Sequence, residues 1–483
     1  MKEEKVLKFK GGSKMSLVPF GIFIVITIGL SFINAADLNM MIASGIIGLI
    51  CGMIFSEEKD KYWNTVLDGL GEKLGMTAVL IWLIVGIYGA ILKSGHIVEG
   101  LVWLSVQLHL KGAAFTVAAF IFSAIFAVAT GAAFGTIAAM GFILYPVGIL
   151  LGSSPAVLGG AIISGALFGD NIAPVSDTTI VSSTGQTYKN KSGSADIGGA
   201  VKDRSKYVIV AAIISIILFF IFGGAKVGEG LDPILAEQLL AEHQMPKGLL
   251  LLIPTAIVIY MAVKGKNLFI TLSLGIIIAI IVGLGANLFT LADLCSIQNG
   301  TVKGAFPDGV AGMTTVCILL MVIVSMGNLL TSSGFMDEMV DYLNNSVIKS
   351  VTGAELVMFI FASIFSLLIS AINTIPNICA GPLLDAIGKK NDIHPYRRAN
   401  ILAVSVCSFN AFMPFGGSVL LLLGIMNTLS STYTFIEVLS PNAFLFTTFY
   451  PLVIWVVMLV AIITGWGRIY EGASGEPVKK LEK

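Results

Sequence analysis

Charge is what this sequence holds least of. Only 12% of its 483 residues are Asp, Glu, Lys or Arg, against about 25% in an ordinary soluble domain. Apolar residues make up 56% and the mean hydropathy is +0.92. A water-facing surface would lack the polar side chains to cover it, so lipid must take that place. The 29 basic residues balance 29 acidic ones, which leaves no bulk charge to attract nucleic acid. Cysteine is also sparse: Cys51, Cys295, Cys317, Cys379 and Cys407 lie scattered, with no C-x-x-C pair. That argues against a zinc site or a disulfide framework and favours buried small hydrophobes. The four histidines, His96, His109, His243 and His394, fall in loops or interfacial segments, which disfavours a buried histidine proton relay. No metal-ligand cluster, nucleophile–base pair or paired acids beside a basic group stands out. The chain is therefore not read as an enzyme, and no organic cofactor is expected.

What is abundant is apolar length. At about 20 apolar residues per span, the chain has room for roughly ten crossings. Runs fall near residues 16–34, 38–55, 76–93, 206–224, 248–263, 267–288, 313–330 and 443–465. Residues 113–186 and 355–428 stay apolar for much longer than one span, interrupted mainly by Gly, Pro, Asn and Thr. Each reads as a re-entrant hairpin followed by one discontinuous crossing helix. The expected fold is an all-α polytopic membrane protein, with about ten crossing helices plus two re-entrant hairpins. Segments 56–75 and 95–111 read as interfacial amphipathic helices, with Glu99 at the interface.

Basic residues favour the cytoplasmic side. The first fourteen residues are polar and unlike a cleavable signal, and they carry Lys2, Lys5, Lys8, Lys10 and Lys14. Placing them inside also puts inside Lys189, Lys191, Lys202, Arg204 and Lys206; Lys264 and Lys266; Lys389, Lys390, Arg397 and Arg398; and Lys479, Lys480 and Lys483. The loops 225–247, 289–312 and 429–442 are then neutral to acidic and outside. Both termini are expected in the cytoplasm of a bacterial cell, with the chain multi-pass in its inner membrane.

The chain also repeats itself. MTAVLIWLIVGIYGAILKSG at 76–95 resembles MTTVCILLMVIVSMGNLLTSSG at 313–334, FIFSAIF at 120–126 matches FIFASIF at 359–365, and Pro174 aligns with Pro414. An odd number of crossings separates the copies, which makes them an inverted repeat, a transporter signature with sites where paired helix breaks meet at the midplane. The expected organisation is a tail and two scaffold helices over 1–75, a first repeat over 76–224, linking helices over 225–312, a second repeat with the final helix over 313–466, and a tail over 467–483.

The sharpest segment is GDNIAPVSDTTIVSSTGQ at 169–186. Asp170 and Asp177 are the only acids read as lying deep in a crossing segment, where a carboxylate is costly and usually functional. Pro174 and Gly169 suit a helix break, whose freed carbonyls can hold a hard cation. Asn171, Ser176, Thr178 and Thr179 add neutral oxygens. The plainer alternative is that the two aspartates cap half-helices or close a turn. In the second half, SFNAFMPFGGS at 408–418 is uncharged, and Asn410 aligns with Asp170. That suggests a cation at one break and a solute or second ion at the other. The hairpin tips, ATGAAFGT at 129–136 and SAINTIPN at 370–377, offer Thr130, Gly131, Thr136, Asn373, Thr374 and Asn377. Such tips must face protein or a water-filled cavity; helix packing through small residues is the competing reading.

GDNIAPVSDTT resembles the G-D-x-x-[SA]-P-x-S-D-T-T signature of the NhaC family of sodium/proton antiporters, and the likeness extends over most of the chain. The resemblance implies Na⁺ exchanged for H⁺, with Asp170 and Asp177 carrying the charge. It also implies an elevator-type arrangement, in which hairpins and broken helices move against a dimerising scaffold in a homodimer. The function expected is secondary active Na⁺/H⁺ antiport. The alternative is Na⁺-coupled transport of a small organic acid or amino acid, with Na⁺ near Asp177 and the solute at the hairpin tips.

Overall fold

In lipid every backbone N–H and C=O must find an internal partner, and helices do this within one segment. The structure, a computed structural model, describes residues 7–32, 38–107, 111–131, 133–174, 176–225, 245–263, 266, 268–298, 300–335, 338, 350–368, 373–431 and 433–480. It is mostly helical. Among the described residues, 8 helices are long and apolar enough to cross a membrane, and shorter apolar helices accompany them. The chain is a multi-pass membrane protein.

The helices, in chain order, are α1 (Val18–Phe32), α2 (Leu38–Phe55), α3 (Lys59–Leu70), α4 (Lys73–Ser94) and α5 (Ile97–Gln107). Next come α6 (Gly112–Thr130), α7 (Ala133–Leu150), α8 (Pro155–Ile172), α9 (Asp177–Thr184) and α10 (Ile197–Phe222). After α11 (Leu252–Val263), α12 (Leu268–Gly285) and the single turn α13 (Leu291–Leu294) lies a small ribbon, β1 (Ser296–Gln298) and β2 (Thr301–Lys303). The chain continues with α14 (Ala305–Ser332), α15 (Val351–Leu368), α16 (Thr374–Lys390), α17 (Pro395–Phe412), α18 (Gly417–Ser430) and α19 (Phe449–Thr464). A second ribbon, β3 (Tyr470–Glu471) with β4 (Pro477–Val478), closes the described chain.

Helices α6 and α7 form a hairpin. Gly131 ends α6 in the left-handed conformation, at φ 65°, which glycine adopts without steric cost. At the open end the Gly112 N–H donates to the Leu151 carbonyl, and the Ser153 hydroxyl to the Gly112 carbonyl. Beside it the Ser154 N–H donates to the carbonyl of Gly223, at the carboxyl end of α10. Helices α15 and α16 pack as a second pair, whose base is tied elsewhere. Glu355 of α15 bonds Arg397 of α17, and Arg397 donates to the Tyr207 hydroxyl in the amino-terminal half of α10. Tyr207 and Gly223 are separated by about 24 Å at 1.5 Å per residue. The two hairpins thus open toward opposite ends of α10.

Both broken helices follow the same local rules. Proline opens α8 and α17, where its missing N–H leaves no extra unsatisfied donor. Each ends two residues before a second proline. Ala173 (ψ 119°) and Met413 (ψ 139°) are extended, as the ring of a following proline demands. Ser176 and Gly416 then restart the chain as N-caps of α9 and α18.

Two expectations need correction. The helix expected from residue 313 begins at Ala305, because the turn at Gly304, at φ 127°, lies that far upstream. Arg204, Arg397 and Arg398, assigned to loops by charge, are buried in helices. Glu355 is a further buried acid, enclosed between Arg397 and Arg468 at the base of the second hairpin. The Glu99 side chain is buried against protein and accepts from the Tyr433 hydroxyl. The physical reason is shared: an ion pair or hydrogen bond formed between distant segments lets a charge leave water. Lys264, most of the loop 225–247, residues 1–6 and residues 481–483 lie outside the described residues.

Removing one partner of a buried pair leaves an uncompensated charge, at about 3–5 kcal/mol. Glu355→Ala should therefore lower the thermal unfolding midpoint in detergent by several degrees, whereas Glu57→Ala, at an exposed site, should not. Equal midpoints would contradict the clamp at the base of the second hairpin.

Candidate ion and solute site

The first break brings four of the expected residues together. Asp170 is in the last turn of α8 and 4% exposed. Its Oδ1 accepts from the Ser176 hydroxyl at 2.6 Å, and its Oδ2 from the Thr178 hydroxyl at 2.9 Å. The two hydroxyls are 2.8 Å apart. Carboxylate and hydroxyls thus close a ring across the break, formed because α8 stops and α9 starts with a Ser-x-Thr sequence. Thr179 donates to the Asp170 carbonyl. Asn171, also buried, donates to the Tyr450 hydroxyl at 3.1 Å, while its Oδ1 has no hydrogen-bond partner among the described residues. Asp177 opens α9, with its side chain outside what is described.

Arg204 is the residue that sequence reading misplaced. It is fully buried and reaches both halves of the broken helix. One guanidinium nitrogen donates to the Asn171 carbonyl and the Thr179 hydroxyl, each at 3.1 Å; another lies 3.5 Å from the Ser182 hydroxyl. Its Nε donates to Asn400 Oδ1 of α17 at 3.0 Å. A cation at the carboxyl end of α8 also faces the negative end of that helix dipole. A signal for this was present in sequence: Ala200, Arg204, Tyr207, Val208 and Ala211 recur at helical spacing, and all are buried.

The second break repeats the geometry with neutral groups. Asn410 Oδ1 accepts from the Ser418 N–H at 3.1 Å, much as Asp170 accepts from Thr178. Its Nδ2 donates to Asn373 Oδ1 at 2.7 Å, joining the break to the start of α16. Asn377 donates to the Asn373 carbonyl. Asn377 Oδ1 and the Ser418 hydroxyl are buried with no partner among the described residues. Thr374, half-buried, opens α16, and residues 370–372 lie outside the described part. Helix α17 packs against the first break: Cys407, one turn before Asn410, lies against Thr178 and near Asp170 and Arg204.

The first hairpin tip reaches the first break through backbone. A Cβ on Gly169 would lie 2.3 Å from Ala127 Cβ and 2.5 Å from the Val128 nitrogen. Gly131 forms the turn of that tip and Thr136 is buried in the first turn of α7; the Thr130 side chain and Ala132 lie outside the described part. Among the described residues no group of three or more His, Cys, Asp or Glu is placed to hold a metal ion; the described oxygens at the break are the Asp170 carboxylate and its neutral neighbours.

Comparison with known proteins bears out the resemblance read from GDNIAPVSDTT. Residues 7–224 match the model of the Na⁺/H⁺ antiporter family. The chain is 26% identical over 369 residues to a malate-2H⁺/Na⁺-lactate antiporter of Bacillus subtilis strain 168, covering 72% of this chain and 76% of that one. It is 22% identical over 347 residues to the Na⁺/H⁺ antiporter NhaC of Alkalihalophilus pseudofirmus, covering 69% and 72%. Among solved structures, the YdaH transporter of Alcanivorax borkumensis matches at a TM-score of 0.38 and 13% identity, over 85% of this chain and 90% of that one, too loosely to carry an argument.

Because Gly169 touches backbone, an added methyl cannot be absorbed by a side-chain rotation. Gly169→Ala should cost about 1–3 kcal/mol through overpacking, read as a lower unfolding midpoint. Gly198→Ala, whose Cβ would meet only the Asp196 carboxylate at 3.5 Å, should be neutral. The reverse order would rule out the tight tip-to-break contact.

Proposed function

We propose, from the Na⁺/H⁺ antiporter family match over residues 7–224, that this chain is a secondary transporter exchanging Na⁺ for H⁺ at the first helix break. The observation that carries the reading is the closed ring of Asp170, Ser176 and Thr178. Two hydroxyl protons cannot fill its three short contacts. A third proton, on Asp170, completes three hydrogen bonds and leaves the ring neutral. When that proton leaves, the ring loses one bond and gains a negative charge. The same oxygens then suit a hard monovalent cation, and Asn171 Oδ1 offers one more. Proton and Na⁺ therefore compete for one set of atoms, so either ion is carried but never both. Asp177, at the start of α9, is the second carboxylate of this site in our reading.

The hairpins opening at opposite ends of α10, and the near-constant spacing of α8 with α17 and α9 with α18, support an inverted repeat with ten crossings. The family resemblance implies an elevator-type movement in which the hairpins and broken helices, α6–α9 and α15–α18, shift against a dimerising scaffold within a homodimer. The basic residues flanking the helices favour cytoplasmic termini in a bacterial inner membrane.

One observation favours a second reading, the Na⁺-coupled carriage of a small organic acid or amino acid. The second break is neutral, and it keeps unpartnered buried oxygens on Asn377 and Ser418. With Asn373, Thr374 and Asn410, and with Thr130, Gly131 and Thr136 of the first tip, these would hold the solute. A relative's name, pairing malate and lactate with H⁺ and Na⁺, points the same way.

In proteoliposomes, an imposed Na⁺ gradient should drive proton movement, and Asp170→Asn should reduce the rate at least tenfold. Exchange that survives Asp170→Asn and Asp177→Asn together would sink the antiport site. A thermal-shift screen of small carboxylates and amino acids separates the two readings: a solute that stabilises only with Na⁺ present supports the carrier, and none doing so supports simple ion exchange.

A further inference from the structure

The polar atoms of the second break are joined by bonds that run one way. The Ser418 N–H only donates, so the end of the Asn410 amide that meets it at 3.1 Å is the oxygen. That turns the Asn410 nitrogen toward Asn373, whose side-chain oxygen receives it at 2.7 Å. The Asn373 main-chain carbonyl only accepts, so the end of the Asn377 amide that meets it at 2.9 Å is the nitrogen. A backbone group thus settles the orientation of each amide, directly or through one neighbour. Two oxygens are left over, Asn377 Oδ1 and the Ser418 hydroxyl. Both are buried with no partner among the described residues, in side chains of residues 1% exposed.

The two differ in what they accept. A hydroxyl can donate or accept, whereas an amide oxygen accepts only. We infer that the second break selects a solute by a hydrogen-bond donor, a hydroxyl or an ammonium, offered to Asn377 Oδ1, and rejects the same skeleton without one. This rests on the second reading above, Na⁺-coupled carriage of a small organic acid or amino acid, and names the group by which the solute is told from its analogues.

The surroundings favour a donor at this oxygen over a carboxylate. Asn373, Asn377, Asn410 and the Ser418 N–H bond one another, with no charged side chain among their described partners. A carboxylate brought to Asn377 Oδ1 sets acceptor against acceptor in a buried place, which is costly without a compensating charge. A methylene there leaves the oxygen unsatisfied. An O–H or N–H satisfies it. Nor can the amide turn over to suit another ligand. Flipping it would face Oδ1 toward the Asn373 carbonyl and break the bond made by Nδ2. The Asn373 carbonyl therefore makes the oxygen a fixed feature of the site. A site that hydrogen-bonds a solute donor rejects the analogue lacking it far more strongly than an apolar pocket rejects a missing methylene.

The test is a thermal-shift titration of the full-length protein in detergent, in NaCl and again in KCl, with two matched sets of solutes. One set is propionate, lactate and alanine; the other is succinate, malate and aspartate. Within a set the carbon skeleton is constant, and the carbon beside the carboxyl carries hydrogen, hydroxyl or ammonium. With Na⁺ present, a hydroxyl- or ammonium-bearing member should bind at least about tenfold more tightly than its donor-free counterpart, and which of the two does so identifies the donor. Donor-free acids that bind as tightly overturn the inference and leave the carrier reading intact. If no member of either set stabilises the protein, with or without Na⁺, both fall. Asn377→Leu, close to it in size, removes the oxygen, and donor-bearing and donor-free members should then bind within about twofold of each other. Discrimination that survives undiminished in Asn377→Leu places the donor contact elsewhere and overturns the assignment. The wild-type comparison needs no variant, so it decides the outcome should Asn377→Leu not fold.

Discussion

A helix broken at membrane depth exposes backbone groups that lipid cannot satisfy, and much of this molecule is arranged around two such breaks. Pro174 and Pro414 force them, by driving Ala173 and Met413 into extended backbone. The carbonyls and N–H groups released must be met from within. At the first break Thr179 takes the Asp170 carbonyl and Arg204 the Asn171 carbonyl. At the second, Asn410 takes the Ser418 N–H. Close approach makes these contacts possible. Gly165 and Gly169 bring α8 against the backbone of α6, and a Cβ on Gly416 would lie 2.0 Å from the Asn410 carbonyl.

Shared geometry with different side chains is how one architecture yields two unlike sites. Asp170, Ser176 and Thr178 occupy the places of Asn410, Gly416 and Ser418. The first set holds a carboxylate within hydroxyls and a nearby guanidinium; the second holds amides bonded to a hairpin tip. A carboxylate gains or loses charge with each cation it meets, whereas an amide does not. On the function proposed above, composition alone would confine ion exchange to the first break and leave the second for a neutral or steric role.

Local features were legible in the sequence because they are set by local chemistry. Proline and glycine announced the breaks, and alternating apolar stretches announced the helices. Asp170, Ser176 and Thr178 drew notice as polar groups in an apolar run. The buried charges were not legible. Counting Lys and Arg as loop residues misassigned Arg204, Arg397 and Arg398, since each is compensated by a residue at least thirteen positions away, and Arg204 chiefly through Asn400 and Asn171. Glu355 and Glu99 escaped for the same reason. A charge's burial is decided by the partner it meets, and a single segment does not contain that partner. The two short ribbons rest on pairings of three residues or fewer, below any periodic signal.

The second hairpin shows how such long-range pairing grades stiffness along one element. Its base is held by Glu355 against Arg397 and Arg468, and by Asp385 against Arg398 and Lys389. Breaking a buried pair there costs about 3–5 kcal/mol. Its tip is joined to the break by a neutral amide bond from Asn410 to Asn373, worth about 0.5–1.5 kcal/mol net. In the proposed transport cycle an opening motion would therefore start at the tip and pivot on the base. The amide contacts are also the ones whose loss water or a solute can replace, because Asn377 and Ser418 already hold oxygens without partners there. The charged clamp keeps the hairpin's register while the neutral tip exchanges contacts, and that division needs both the deep arginines and the absence of charge at Asn410.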